Sequence, residues 1–125
     1  MPTIETLRAI AAAFNAHDID AILGFFAEDA AMQMPRGPDP FGTRYSGKSE
    51  IRAGLAARFA GLPDVHYGQD EHFVSGNTGM SKWVLTGTMA SNGQRVEVLG
   101  CDFYSFDVAG KVVLKDSYWK IVEPR

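Results

Sequence analysis

The feature that most constrains this chain is its second half: four long stretches rich in strand-forming residues, joined by turns short enough to be hairpins. Val65 to Ser75 ends at Gly76-Asn77-Thr78-Gly79, and Met80 to Ala90 ends at Ser91-Asn92-Gly93. Gln94 to Phe106 ends at Asp107-Val108-Ala109-Gly110, and Lys111 to Val122 is the fourth. Turns this short require antiparallel neighbours, and Asn-Gly is the strongest short hairpin signal. A strand of about 11 residues reaches ~35 Å. A sheet of such strands twists and tends to curl.

The first half supplies something to fill the curl. Thr3 is placed to cap a helix carrying Ile4, Leu7, Ile10, Ala11 and Phe14 on one side. Asn15-Ala16-His17-Asp18 breaks it, with His17 read as part of the turn. Asp18 caps a second helix with Ile19, Ile22, Leu23 and Phe26 on one side, closed by Glu28-Asp29. Ala30 to Met34 reads as a short strand, and the segment from Pro35 to Gly47 holds three of the six prolines and reads as a rim or lid loop. Ser46 or Gly47 starts a third helix, with Ile51, Leu55 and Phe59 in one row and Gly61-Leu62-Pro63 at its end. The expected fold is therefore α+β, a single domain over residues 1–125. Three helices from the N-terminal half pack on the concave face of a strongly curved, mainly antiparallel sheet, a cone-shaped half-barrel.

Composition excludes several functions. Twelve Lys and Arg stand against fifteen Asp and Glu, a net charge of −3, so there is no basic excess for nucleic acid. The longest apolar runs are too short to cross a membrane, and the opening Met1-Pro2-Thr3-Ile4-Glu5 has no secretory pattern, so a cytoplasmic protein is expected. Cys101 is the single cysteine and cannot form an internal disulfide. The histidines at 17, 66 and 72 lack metal-binding spacing, no GxGxxG is present, and Gly47-Lys48-Ser49 reads as a helix start rather than a phosphate loop. No metal and no cofactor is expected.

The aromatic residues, eight Phe, four Tyr and two Trp, either fill a core or line a hollow. Period two puts Val98, Gly100, Asp102, Tyr104 and Phe106 on one face of the third strand, with one carboxylate among apolar groups. Such an aspartate is either satisfied by a neighbour such as Lys115 or acts as an acid, base or hydrogen-bonding group in a hollow. The strand before it offers Trp83, Leu85, Gly87 and Met89 on its more apolar face. In the last strand Val113, Lys115, Ser117 and Trp119 alternate with Val112, Leu114, Asp116 and Tyr118, and periodicity does not choose between them.

The order of these elements resembles a known superfamily. Phe14-Asn15-Ala16-His17-Asp18-Ile19-Asp20-Ala21-Ile22 with Phe26-Ala27-Glu28-Asp29-Ala30 is similar to the opening of nuclear transport factor 2-like proteins. Gly47-Lys48-Ser49-Glu50-Ile51-Arg52 resembles their third-helix start. Gly100 to Phe106, running on to Gly110-Lys111-Val112, resembles their last hairpin. The closest resemblance is to the SnoaL-like branch and, more distantly, to ketosteroid isomerases. It implies a cone with an apolar pocket and a homodimer through the outer sheet face. It also implies that Lys115, Ser117 and Trp119 point inward. Asp102 falls where ketosteroid isomerases carry an oxyanion-binding aspartate. Ile10 stands at their catalytic tyrosine, Met34 near their general base, and Gly100 where limonene epoxide hydrolases place an arginine. What carries over is Asp102 alone, as in SnoaL-type cyclases.

The expectation is thus proton-transfer chemistry of isomerase, cyclase or hydrolase type on a small apolar carbonyl compound, with Asp102 as acid/base or oxyanion donor. Phe14, Met34, Phe59, Trp83, Tyr104, Lys115, Ser117 and Trp119 are the expected ligand-binding residues, with Met32 beside Met34 on the wall. A non-catalytic binder of a small apolar ligand is the alternative. A hollow filled by its own side chains would leave a structural role.

Overall fold

A computed structural model describes residues 1–125. Helix α1 (Ile4–Asn15) is capped by Thr3, whose hydroxyl accepts from the Thr6 backbone while Thr6 reaches back to Thr3. Its buried residues are Leu7, Ile10, Ala13 and Phe14. Helix α2 (Ile19–Gly24) is capped by Asp18, which accepts from Ala21 N–H. Helix α3 (Gly47–Gly61) buries Ile51, Gly54 and Leu55. The strands are β1 (Phe26–Gln33), β2 (Arg44–Ser46), β3 (His66–Ser75), β4 (Thr78–Thr88), β5 (Arg95–Phe106) and β6 (Val112–Trp119). They form one curved, unclosed sheet in the order β2-β1-β6-β5-β4-β3. The helices lie on its concave side, completing the α+β cone expected from the sequence. No helix is long and apolar enough to cross a membrane.

The second helix is shorter than its apolar pattern suggests. Phe26, Glu28 and Asp29 belong to β1, because the chain leaves α2 at Gly24 and pairs at once with β6. Phe26 is still buried, now from the sheet side. The pairing of β1 with β6 is parallel, the one exception in the sheet. The proline-rich loop is pinned: Met34 N–H donates to Thr43 C=O, Thr43 N–H donates to Arg36 C=O, and β2 then returns along β1. Gly42 is needed there. Its φ is +80°, and a Cβ would sit 2.0 Å from the Met34 carbonyl oxygen.

The core has two parts. Fourteen buried residues, including Leu7, Ile10, Phe26, Met32, Leu55, Tyr104 and Phe106, join the helices to the lower sheet. Leu62, Val65, Trp83 and Leu85 form a smaller cluster at the other end. Phe59 packs against both clusters. His17 has φ +54°, stacks on Phe59 at 4.5 Å and donates from Nε2 to Val65 C=O at 2.7 Å. It fastens the α1–α2 turn to the start of β3, in keeping with its reading as a turn residue.

Candidate functional site

The site is built on three adjacent strands, and their register explains it. On β4 and β5, Ser81 faces Asp102 and Trp83 faces Gly100. On β5 and β6, Asp102 faces Ser117 and Tyr104 faces Lys115. Gly100 makes room for the indole of Trp83, since a Cβ there would lie 2.6 Å from the ring carbons. The indole Nε1–H therefore reaches diagonally to Asp102 Oδ2 at 2.9 Å.

The facing of β6, left open by periodicity, is settled by a bulge. Ser105 pairs with Leu114 but Phe106 pairs with Val112, so Val113 is an extra residue. The bulge shifts the parity, and both Val112 and Lys115 are buried although three positions apart. Neither strict alternation describes the whole strand. Beyond the bulge, Lys115 and Ser117 are buried and Trp119 is half-buried.

Asp102 is 5% exposed and Lys115 is 6% exposed. Asp102 Oδ1 accepts from Ser117 Oγ at 2.5 Å and from Lys115 Nζ at 3.1 Å. Lys115 Nζ also donates to Ser117 Oγ at 2.9 Å and lies 5.0 Å from the Phe14 ring centroid. A buried charge needs this much company. With Trp83 on Oδ2, the carboxylate holds three donors, and Oδ2 keeps a lone pair free.

The hollow beside Asp102 is small. It measures about 20 Å³, room for roughly one water. Phe14, Met34, Trp83, Asp102, Lys115 and Ser117 line it, so six of the nine expected site residues meet there. Tyr104 lies in the lower core and Phe59 against His17; neither lines the hollow. Trp119 lies outside it, in a neighbouring cleft of about 380 Å³. The apolar pocket expected around Asp102 is thus reduced to this small hollow. Aromatic and methionine side chains mostly fill the cone, and the cleft beside the hollow is one of several ligand-sized spaces on the protein. Met34 and Arg58 line both spaces and form the throat between them.

Sequence reasoning missed four residues of the hollow, Pro35, Leu55, Arg58 and Tyr67, of which the last two carry polar groups. Arg58 sits three positions after Leu55 on α3, a spacing that could have found it. Tyr67 gave no signal, because β3 is an edge strand with a register shift between Gly68 and Glu71. Asn15 fixes Tyr67 from across the fold: its Oδ1 accepts from Tyr67 N–H at 2.8 Å and its Nδ2 donates to Tyr67 C=O at 3.0 Å. Burial pushes the Tyr67 hydroxyl up to about 12, helped by the charge of Asp102 and opposed by Arg58. Tyr104 is raised well above the usual tyrosine value, again by burial first and Asp102 second.

These shifts carry a sign. The unfolded chain releases its tyrosine protons near pH 10 while folded Tyr67 holds its proton to about 12, so stability is full below pH 10 and falls between pH 10 and 12. Urea denaturation across that range is expected to show the fall, and a shallower one in Tyr67→Phe. An identical slope in the variant would contradict the assignment.

A second polar row lies on β3 and β4. His72 Nδ1 is 2.8 Å from Ser81 Oγ and its Nε2 is 2.7 Å from Asp70 Oδ2. The order Ser–His–Asp is that of a nucleophilic triad. Ser81 is buried, however, and lines neither the hollow nor the cleft, so a substrate has no approach to it. The His72 hydrogen bond holds the Asp70 carboxyl below the usual carboxylate range. The row ties an edge strand to the sheet.

Comparison with known proteins agrees with this fold. A family model described as SnoaL-like domain matches residues 7–115. Among solved structures, a proposed polyketide cyclase from Pseudomonas putida is similar at TM-score 0.85 and 21% identity, covering 97% of this chain and 93% of that one. One from Xanthomonas campestris has a TM-score of 0.80 and 22% identity, covering 91% and 87%. A proposed isomerase from Bacillus subtilis has a TM-score of 0.77 and 18% identity, covering 93% and 84%. At such identities these likenesses show the fold.

Proposed function

This chain belongs to the SnoaL-like domain family, and from that premise we propose that it catalyses proton transfer on a small, mostly apolar carbonyl compound. The observation that carries the reading is the pairing, in one hollow, of a buried carboxylate with a free lone pair and a phenol that keeps its proton. The substrate body occupies the cleft, and its reacting carbon enters the throat as the Arg58 and Met34 side chains turn aside. Asp102 Oδ2 takes a proton from the carbon next to the carbonyl. The C–H electron pair moves into the enolate, whose oxygen accepts a hydrogen bond from Tyr67. Return of that proton to another carbon gives an isomerase. Attack of the enolate carbon on a second carbonyl gives a cyclase, with Asp102 delivering the proton to the new alkoxide. Lys115 and Ser117 hold Asp102 in place throughout.

The test needs no natural substrate. Purified protein in D2O with a panel of small ketones is expected to accelerate loss of the proton signals next to the carbonyl, read by NMR. Exchange at the buffer rate for every ketone would overturn the reading. The small volume of the hollow favours a second reading, a binder in which Asp102 only orients the ligand. Thermal stabilisation by a ketone without exchange would support it.

The homodimer is a further part of the proposal. Leu99, Phe103 and Tyr118 are exposed together on the outer sheet face, and Phe103 and Tyr118 meet edge to face at 5.8 Å. A clustered apolar patch of this kind marks an interaction surface. Sedimentation velocity is expected to show a dimer, and Leu99→Asp a monomer of unchanged fold. A monomeric wild type would refute it.

A further inference from the structure

We propose that the cleft beyond the throat binds a small carboxylate with an apolar body, through Arg58 and Arg36 flanking Trp119. The inference rests on the reading that this cleft admits the ligand of Asp102, and names the ligand's class. The guanidinium carbons of Arg58 and Arg36 lie 5.0 Å and 5.8 Å from the Trp119 ring centroid. Neither arginine has a carboxylate within 4.0 Å; the ion pairs of this protein all use other cations. Neither side chain makes a hydrogen bond to the protein either, so all their donors are free.

The walls are consistent with one kind of guest. Met34, Tyr45, Leu62, Met89 and Val96 supply apolar surface, and no lining residue is acidic. In a chain of net charge −3, a cleft with two cations and no anion is a marked local departure. Its volume of about 380 Å³ falls in the range of small-molecule sites. A guanidinium fork matches a carboxylate in geometry and charge, and an aromatic face beside it suits a flat or aliphatic body. Because Arg58 also lines the hollow, a carboxylate paired with it lies at the throat that leads to Asp102.

The experiment uses 4-phenylbutyrate and its neutral partner, 4-phenylbutyramide. Binding to wild type is followed by calorimetry and by tryptophan fluorescence, with Trp119→Phe identifying which tryptophan reports. The carboxylate is expected to bind about tenfold more tightly than the amide, as a charge-assisted hydrogen-bonded pair requires. Added salt is expected to weaken it. Arg58→Gln and Arg36→Gln should each weaken the carboxylate and leave the amide unchanged. Equal binding of the two probes, no binding of either at millimolar concentration, or a carboxylate affinity indifferent to both arginine variants would overturn the proposal. Asp102→Asn separates the two ideas. Binding of 4-phenylbutyrate should survive in it, so carboxylate binding without ketone exchange in wild type sinks the catalytic reading alone.

Discussion

Lys115→Met is expected to destabilise the fold by about 3–5 kcal/mol, the usual cost of removing one partner from a buried ion pair. Both side chains are almost wholly enclosed, at 8% and 7% exposure, so water cannot take over from the lost ammonium. Asp102 would keep Trp83 and Ser117 as donors, yet its charge would stand beside Phe14 and Met32 with no cation in direct contact to balance it. For a domain of this size a melting-temperature fall of about 12–20 °C corresponds to that loss. The double variant Asp102→Asn/Lys115→Met removes both charges and is expected to recover much of the fall, because the penalty comes from the unbalanced charge. Differential scanning calorimetry of the three proteins decides it. A single variant within about 1 kcal/mol of wild type would mean that the pair is far better solvated than its burial indicates.

Asp102→Asn alone is expected to lower ketone proton exchange by about 10²–10⁴-fold, the contribution of one positioned acid or base. The amide keeps the shape of the carboxylate but cannot accept a proton from carbon. Its oxygen can still receive Ser117 and Lys115, but the Trp83 N–H then meets an amide nitrogen and the buried Lys115 ammonium loses its balancing charge, so a stability loss on the scale of Lys115→Met is expected as well. Far-ultraviolet circular dichroism and the melting temperature must therefore accompany the rate. A folded Asp102→Asn protein that exchanges protons at the wild-type rate would remove Asp102 from the chemistry. Tyr67→Phe in the same assay separates the oxyanion donor from the base, since it should slow exchange without abolishing it.

The legible part of this protein was the part governed by period. The hairpins of β3 to β6 could be read within two or three residues, and so could the inward face of β5, because turn chemistry and alternation act locally. Asp102 stood out for the same reason, as a charge on an apolar face. What was hidden depended on register between distant strands. The parity change at Val113 requires knowing that Ser105 and Phe106 pair on either side of it. Phe26 looked helical because a buried strand residue and a helix-face residue are both simply apolar. Tyr67 was hidden by the irregularity of its edge strand, and Trp119 was placed in the hollow although its ring closes the outer cleft. The size of the hollow was not readable at all, since volume depends on how rings interlock and not on how many there are.

The parallel pairing of β1 with β6 has a consequence for how the chain is made. Phe26 finds Val112, 86 positions later, so the strand that completes the sheet is the last of the six to leave the ribosome. Until then β1 and β5 are both open edges with no bond between them, because β6 lies between the two in the finished sheet. The helices and the early hairpins can form locally, but the fourteen-residue core cannot close before β6 is inserted. The nascent chain is thus held in an unsealed, edge-exposed state until β6 has emerged. A force-sensing arrest peptide should register a single late pulling event, as the residues of β6 clear the exit tunnel.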